Sequence, residues 1–330
     1  MKILIIQTAF IGDVVLATPV VEKLREKYPD STIDFLLRKG NESLLIGNPH
    51  IRKVWVFDKK NGKYKNLLKM AKELRTEAYD YVINLQRFFT TGLMTVLSGG
   101  KVKIGFDKNP LSFLFTHVVK HHISHDDINV HEVDRNLSLI EPIVGDTAFK
   151  KPRLYPSSTD YAVVPTGEEY ICIAPSSVWF TKQFAEHKWI ELINNIPAKY
   201  KVYLIGAKSD MPLCGRIQKA TSHQSVEILA GQLTFLQSCA LIDKARMTFV
   251  NDSAPLHFAS AMNAPVTAFF CSTVPAFGFG PLSDFSIVAE VEDKLDCRPC
   301  GLHGKKQCPQ QHFKCSEMDV KKVLAKTKIL

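Results

Sequence analysis

The 330-residue sequence predicts an α/β protein made of two doubly wound, Rossmann-like halves, each a parallel sheet with helices on its faces. Three observations lead there. Short apolar runs alternate with amphipathic helical stretches. The alternation stops at Lys150-Lys151-Pro152-Arg153-Leu154-Tyr155-Pro156-Ser157-Ser158-Thr159, a Pro- and Ser-rich linker without periodicity, and then restarts. Two polar loops follow apolar runs far apart in the chain: Gln7–Asp13 after Lys2–Ile6, and Asn251–His257 after Met247–Val250. Open α/β sheets hold ligands at such places, just beyond the carboxyl ends of their strands.

In the first half, residues 1–155, apolar runs predict strands at 2–7, 33–37, 54–57, 80–84, 102–105 and 117–121. Helices are expected between them at 13–28, 65–77, 87–97 and 131–143. Pro19 falls early in the first helix, where a missing N–H is tolerable, and Gly99-Gly100 ends another. The second half, residues 160–330, repeats the pattern. Its strands are expected at 170–174, 201–205, 226–229, 247–250, 265–270 and 286–289. Its helices are expected at 187–197, 210–221, 233–243 and 254–262. A last helix, about 316–327, is expected to pack back toward the first half. The two sheets are expected to face each other across a cleft.

Composition narrows the class. Hydrophobic content of 45% and charged content of 23% are those of a soluble globular protein. No apolar run reaches the roughly 20 residues of a membrane span, and no signal sequence precedes the first strand, so a cytoplasmic protein is expected. Net charge is +9, of which residues 1–160 carry +6 (24 Lys and Arg against 18 Asp and Glu). This fits an anionic partner or a solvated basic surface. Cys172, Cys214, Cys239 and Cys271 are scattered in apolar surroundings and read as buried free thiols.

Several segments carry candidate chemistry. Gly12-Asp13 stands where the first helix begins. Its carboxylate either caps that helix or serves as a general base open to substrate. The segment lacks G-x-G-x-x-G, which argues against a dinucleotide there. In Ile173–Phe184, hydroxyls such as Ser177 and Thr181 with Lys182 suit phosphate oxygens. The other reading is a surface loop with Trp179 packed down. In Asn251–His257, Asp252 or Ser253 caps a helix whose first turn holds Pro255, and free N–H groups there form an anion site. The alternative is a capped helix with a packed His257. Cys297-x2-Cys300-x7-Cys308-x6-Cys315 offers four thiolates to a structural zinc, although the spacing is not that of the usual fingers. Otherwise these are reduced cysteines folding a loop. Pro110–His122, apolar with basic neighbours, reads as a membrane-touching segment or as a buried strand and its approach.

Taken in order, the motifs resemble one family. Met1–Ile6 through Gly12-Asp13-Val14-Val15-Leu16-Ala17-Thr18-Pro19 is similar to the opening of the lipopolysaccharide heptosyltransferases, glycosyltransferase family 9. Ser177-Val178-Trp179-Phe180-Thr181-Lys182-Gln183-Phe184 with His187 resembles the family's S-x-W-x-T-K-x-W segment, and Asn251-Asp252-Ser253-Ala254-Pro255-Leu256-His257 its N-D-S-G-P-x-H loop. Gly280-Pro281 and the late cysteines add to the likeness. Ala254 and Phe184 stand where the family has Gly and Trp.

The resemblance implies a GT-B fold, with the acceptor bound mainly by the first domain and a nucleotide-sugar by the second. It implies Asp13 as base and Lys182 on the donor phosphates, with Asp252, Ser253, Ala254 and His257 cradling the diphosphate. Ser177 and Thr181 join that donor set. Gly206 and Asp210 follow the second donor-half strand, where the family often carries a ribose-binding Glu. On the acceptor side, Gly12 belongs to the matching motif, and Arg87, Lys101, Lys103 and Arg135 are candidates by position and charge. The expected activity is inverting, metal-independent transfer of heptose from an ADP-activated donor to the lipopolysaccharide inner core, with no required cofactor. The expected setting is a monomer at the cytoplasmic face of the inner membrane, meeting an anionic glycolipid and no nucleic acid. The alternatives are a GT-B enzyme using another nucleotide-sugar, such as a UDP-sugar transferase or epimerase, and a basic, non-catalytic lipid- or nucleic-acid-binding protein.

Overall fold

A computed structural model describes residues 1–122 and 130–329. The chain divides into two compact units, Met1–Tyr155 and Pro156–Leu330. In the first, β1 (Lys2–Ile6), β2 (Thr32–Arg38), β3 (Lys53–Phe57), β4 (Tyr81–Asn84), β5 (Val102–Phe106) and β6 (His117–Val119) form a parallel sheet of order β3-β2-β1-β4-β5-β6. Its helices are α1 (Ile11–Lys27), α2 (Lys63–Thr76), α3 (Phe89–Leu97), α4 (Glu132–Ser138) and α5 (Glu141–Val144).

The second unit repeats the plan. Strands β7 (Tyr170–Ala174), β8 (Lys201–Leu204), β9 (Val226–Ile228), β10 (Met247–Asn251), β11 (Val266–Phe269) and β12 (Ser286–Ala289) pair in parallel in the order β12-β11-β10-β7-β8-β9. Read from its other edge, this is the order of the first sheet. Helices are α6 (Ser158–Tyr161), α7 (Glu186–Asn194), α8 (Met211–Ala220), α9 (Phe235–Lys244), α10 (Ala254–Met262) and α11 (Val320–Lys326). In each sheet the winding reverses beside the first strand, between β1 and β4 and between β7 and β10. Loops that leave such a switch point diverge to opposite faces and open a crevice.

The central strands are continuous apolar runs because helices cover both of their faces. Ile3–Ile6 and Tyr170–Ala174 are buried throughout. Each unit has its own core: Leu4, Leu36, Phe57 and Leu74 in the first, and Ile171, Trp189, Phe249 and Phe269 in the second.

Four details depart from the sequence expectation. Pro19 lies in the interior of α1, not its first turn. The Val15 carbonyl that loses its usual amide donor is met instead by the Thr18 hydroxyl at 2.7 Å. The helix expected over 131–143 is two helices, because Pro142 has no N–H to continue the ladder and serves as a first-turn residue of α5. The linker is anchored along part of its length: Leu154 is buried, the Arg153 N–H donates to Thr18 Oγ1, and the Tyr155 hydroxyl donates to Glu22. The last helix begins only at Val320, where Asp319 accepts from the Lys322 N–H, and it packs on α7.

Thr18 serves two backbone groups with one buried hydroxyl. Thr18→Val keeps the volume and strands the Val15 carbonyl and the Arg153 N–H. It is expected to cost about 2 kcal/mol, read as a lower urea midpoint at unchanged slope.

Candidate active site

The switch point of the second sheet is closed by one buried side chain. Asn251, the last residue of β10, accepts from the Phe184 N–H at 2.8 Å and donates to the Pro175 carbonyl at 2.9 Å. It thereby fixes both ends of the loop that follows β7. Phe184 is itself held in an aromatic cluster, stacked on Phe269 with centroids 4.2 Å apart and edge-on to Trp189. Between these anchors Lys182 is aimed at β10, and its Nζ lies 2.6 Å from Asp252 Oδ2 with both side chains largely enclosed. The same carboxylate oxygen accepts from Thr273 Oγ1 at 2.6 Å. Arg298 fixes the chain around Thr273 by donating to the carbonyls of Phe270, Cys271 and Thr273.

Some predicted donor residues do structural work. Thr181 is buried, and its hydroxyl accepts from the Lys305 N–H at 2.7 Å and from Ser272 Oγ at 2.9 Å. It ties the cysteine segment to the lysine loop. Asp210 accepts from the Ala207 N–H and from Ser176 Oγ, joining the loops after β7 and β8. Gly206 lies close beneath it, since a Cβ there would stand 2.7 Å from Asp210 Oδ2. Ser177 is half-buried in the same loop, and its carbonyl accepts from Gln183. Ser253 is the N-cap residue of α10, Ala254 opens the helix, and His257 is buried against Phe279.

The zinc expectation is not met. Cys297, Cys300, Cys308 and Cys315 line one cavity of about 350 Å³ with Thr181 and His312. Among the described residues, however, no three His, Cys, Asp or Glu side chains are arranged to hold a metal ion. All four are free thiols: Cys300 Sγ donates to the Cys297 carbonyl, and burial pushes the Cys315 thiol up to about 11. The segment instead walls the lysine. Gly304, at φ +73°, stands so close that a Cβ there would lie 3.0 Å from Lys182 Cγ.

At the first sheet's switch point, Asp13 lies in the opening turn of α1 and its Oδ2 accepts from the Phe10 N–H at 3.1 Å. The capping role is therefore real, and charged neighbours surround it. Arg38, at the end of β2, faces Asp13 and is lowered by burial. Lys59, just past β3, donates to the Thr8 carbonyl at 2.6 Å, and burial with Arg38 and Lys63 nearby pushes it down to about 8. Glu132 at the start of α4 is raised by burial, with the Asp13 carboxylate adding to the shift, while Arg135 opposes it. Gln86 Oε1 accepts from the Thr8 N–H and hydroxyl, joining the loops after β1 and β4.

Of the predicted acceptor contacts, Gly12 and Arg87 belong here, Arg87 near Glu132 and His121. Arg135 is buried and spends its guanidinium on Glu132 at 2.8 Å and the Val130 carbonyl at 2.7 Å. Lys101 and Lys103 lie at the amino end of β5, the opposite edge of the parallel sheet, where Lys101 pairs with Asp80 at 2.7 Å. Arg38, Lys59 and Glu132 were missed. The usable signal was position: each of the first two is a basic residue at or just beyond the end of an apolar run.

Asn251→Ala would strand the Phe184 N–H and the Pro175 carbonyl. A loss of roughly 2–4 kcal/mol is expected, measured by urea unfolding.

Known proteins are similar to this chain. The family profile "Glycosyltransferase family 9 (heptosyltransferase)" matches residues 67–312. Lipopolysaccharide heptosyltransferase 3 of Escherichia coli is 31% identical over 281 residues, covering 80% of this chain and 82% of that one. Among solved structures, a glycosyl transferase family 9 protein from Veillonella parvula superposes with a TM-score of 0.78 at 20% identity, covering 87% and 85% of the two chains. The E. coli ADP-heptose lps heptosyltransferase II superposes at 0.77 with 21% identity, over 98% and 99%. The two six-stranded parallel sheets are those of the GT-B class, and the chain belongs to glycosyltransferase family 9, which makes it a glycosyltransferase.

Proposed function

We propose that the protein transfers a heptose from an ADP-activated donor to the inner core of lipopolysaccharide, with inversion and without a catalytic metal. The division of charge between the two switch points carries the reading. A carboxylate facing Arg38, with Lys59 on the neighbouring loop beside Arg38, ends one, and a lysine held by a carboxylate ends the other. The first suits a hydroxyl to be deprotonated on an anionic acceptor; the second suits a leaving diphosphate. The names of the E. coli relatives, lipopolysaccharide heptosyltransferase 3 and ADP-heptose lps heptosyltransferase II, supply the sugar, the nucleotide and the acceptor class.

In the proposed step the acceptor oxygen attacks the anomeric carbon as Asp13 takes its proton. The bond from that carbon to the diphosphate breaks, and the charge gathering on ADP is met by Lys182 and by the N-terminal end of α10. Asp252 holds Lys182 in place between turnovers. Ser177, Ser253, Ala254 and His257 shape the donor site around it, with Gly206 and Asp210 on the nucleoside side. Gly12 and Arg87, joined by Arg38 and Lys59, receive the acceptor. The proposed setting is a monomer at the cytoplasmic face of the inner membrane. No helix among the described residues is long and apolar enough to cross a membrane.

Two measurements test the assignment. Asp13→Asn is expected to lower transfer at least about a hundredfold while ADP binding by calorimetry stays within about twofold; full activity would remove Asp13 from the base role, and a preference for UDP over ADP would overturn the donor. Lys59 gives a pH signature. Held near 8, it loses its charge as pH rises through that value, so affinity for a phosphorylated core analogue is expected to fall roughly tenfold between pH 7 and 9. Lys59→Arg, which keeps its charge, is expected to hold that affinity flat.

A further inference from the structure

Five large apolar side chains stand in solvent around the first sheet's carboxyl edge. Phe10 is 55% exposed, Phe88 61%, Phe89 48%, Phe113 77% and Leu114 47%. They come from the loop between β1 and α1, the start of α3, and the short turn Ser112–Leu114 that follows β5. These segments are pinned to one another. Gln86 Oε1 accepts from the Thr8 N–H and hydroxyl, and Asn109 Nδ2 donates at 3.1 Å to both the Gln86 and the Phe88 carbonyls. A fixed frame therefore presents the aromatics, which take no part in the unit's core.

Their surroundings are cationic. The Arg38 guanidinium lies over the Phe10 ring, 4.8 Å from its centroid, and Lys108 and Lys120 are exposed on the segment that carries Phe113. Residues 1–155 hold 24 Lys and Arg against 17 Asp and Glu; the rest of the chain holds 18 against 16. Exposed aromatic rings with Lys and Arg on the same segments match the interfacial zone of a bilayer, where rings sit at headgroup level and cations meet lipid phosphates. A protein partner of matching area would be expected to favour fewer lysines at its centre.

We propose that this rim seats the first unit on a bilayer containing anionic lipid, with Phe88, Phe89, Phe113 and Leu114 entering the headgroup layer. The choice of occupant rests on the reading that the acceptor is a lipid-anchored glycan, since the rim lies on the same sheet edge as Asp13. Seating there would bring the acceptor sugars to the base while the lipid tails stay in the membrane.

Vesicle sedimentation with the full chain tests this. Wild-type protein is expected to pellet with phosphatidylethanolamine vesicles containing phosphatidylglycerol and to stay in solution with phosphatidylcholine alone. The double variant Phe113→Ser/Leu114→Ser is expected to bind the anionic vesicles about tenfold more weakly. Its thermal melt, ADP binding and transfer to a deacylated, water-soluble acceptor are expected to match wild type. Unchanged pelleting of the variant would overturn the proposal. So would failure of wild type to bind anionic vesicles together with concentration-dependent dimers that the variant loses, which would give the rim to a second copy of the chain. The vesicles contain no acceptor, so a chain that pellets as expected yet transfers no sugar would sink the transferase reading and leave the seating intact.

Discussion

A lysine ammonium enclosed beside a carboxylate is the interaction around which the second unit is arranged. Removing either charge from water is costly, and the pair is tolerable only when geometry is held tightly and the remaining oxygen sites are used. Lys182 and Asp252 meet at 2.6 Å, and Thr273 donates to the same carboxylate. The surrounding structure exists to hold that geometry. Asn251 clamps both ends of the lysine loop, Phe184 is stacked into the core, Arg298 braces the chain at Thr273, and the cysteine segment lies over the lysine stem at Gly304. A cation prepared in this way costs no reorganisation when charge appears on a leaving group.

The first unit uses the same strand order, and under the proposed function it takes the opposite task. Its switch point gathers a carboxylate and then loads its borders with Arg38, Lys59 and Arg87. Gln86 does there what Asn251 does in the other unit, bridging the loops that leave the two strands at the reversal. Two copies of one topology thus offer two crevices whose chemistry differs only through the side chains on equivalent loops, as expected when function is grafted onto a shared fold.

Much of this was legible in sequence because parallel sheets buried on both faces write themselves as apolar runs, and all twelve strands of the described residues lie where such runs stand. The loops after β1, β7 and β10 were legible for the same reason: a polar motif directly after a run must sit at the sheet's carboxyl edge. What failed was whatever required knowing which end of an element a residue occupies, or what its side chain touches. Lys101 and Lys103 carried the right charge on the wrong edge. Arg135 had the charge and the position, and a buried Glu132 consumed it. Thr181 stands beside Lys182, yet its hydroxyl bonds Ser272 and Lys305, partners 91 and 124 residues away. The cysteines suggested a metal through their number, against an unusual spacing, and number does not specify the arrangement of four sulfurs around a point.

Ala254 shows how the two sources of information combine. Where the family motif has Gly, a methyl group raises the question of whether the backbone needs a left-handed turn. It does not: residue 254 opens α10 in helical conformation, after an extended Ser253 at φ −156°, and is not among the positive-φ residues. The substitution therefore brings no backbone strain and acts only through the volume of one methyl group. The same turn is poor in donors. Pro255 has no N–H, and the Leu256 N–H is 3.0 Å from the Ser253 carbonyl, so two early positions of the helix are already spent. A helix start so depleted is a weak anion site by itself. Under the proposed function, the attraction for a diphosphate then falls chiefly on a side-chain cation, which gives a physical reason for the clamps that hold Lys182.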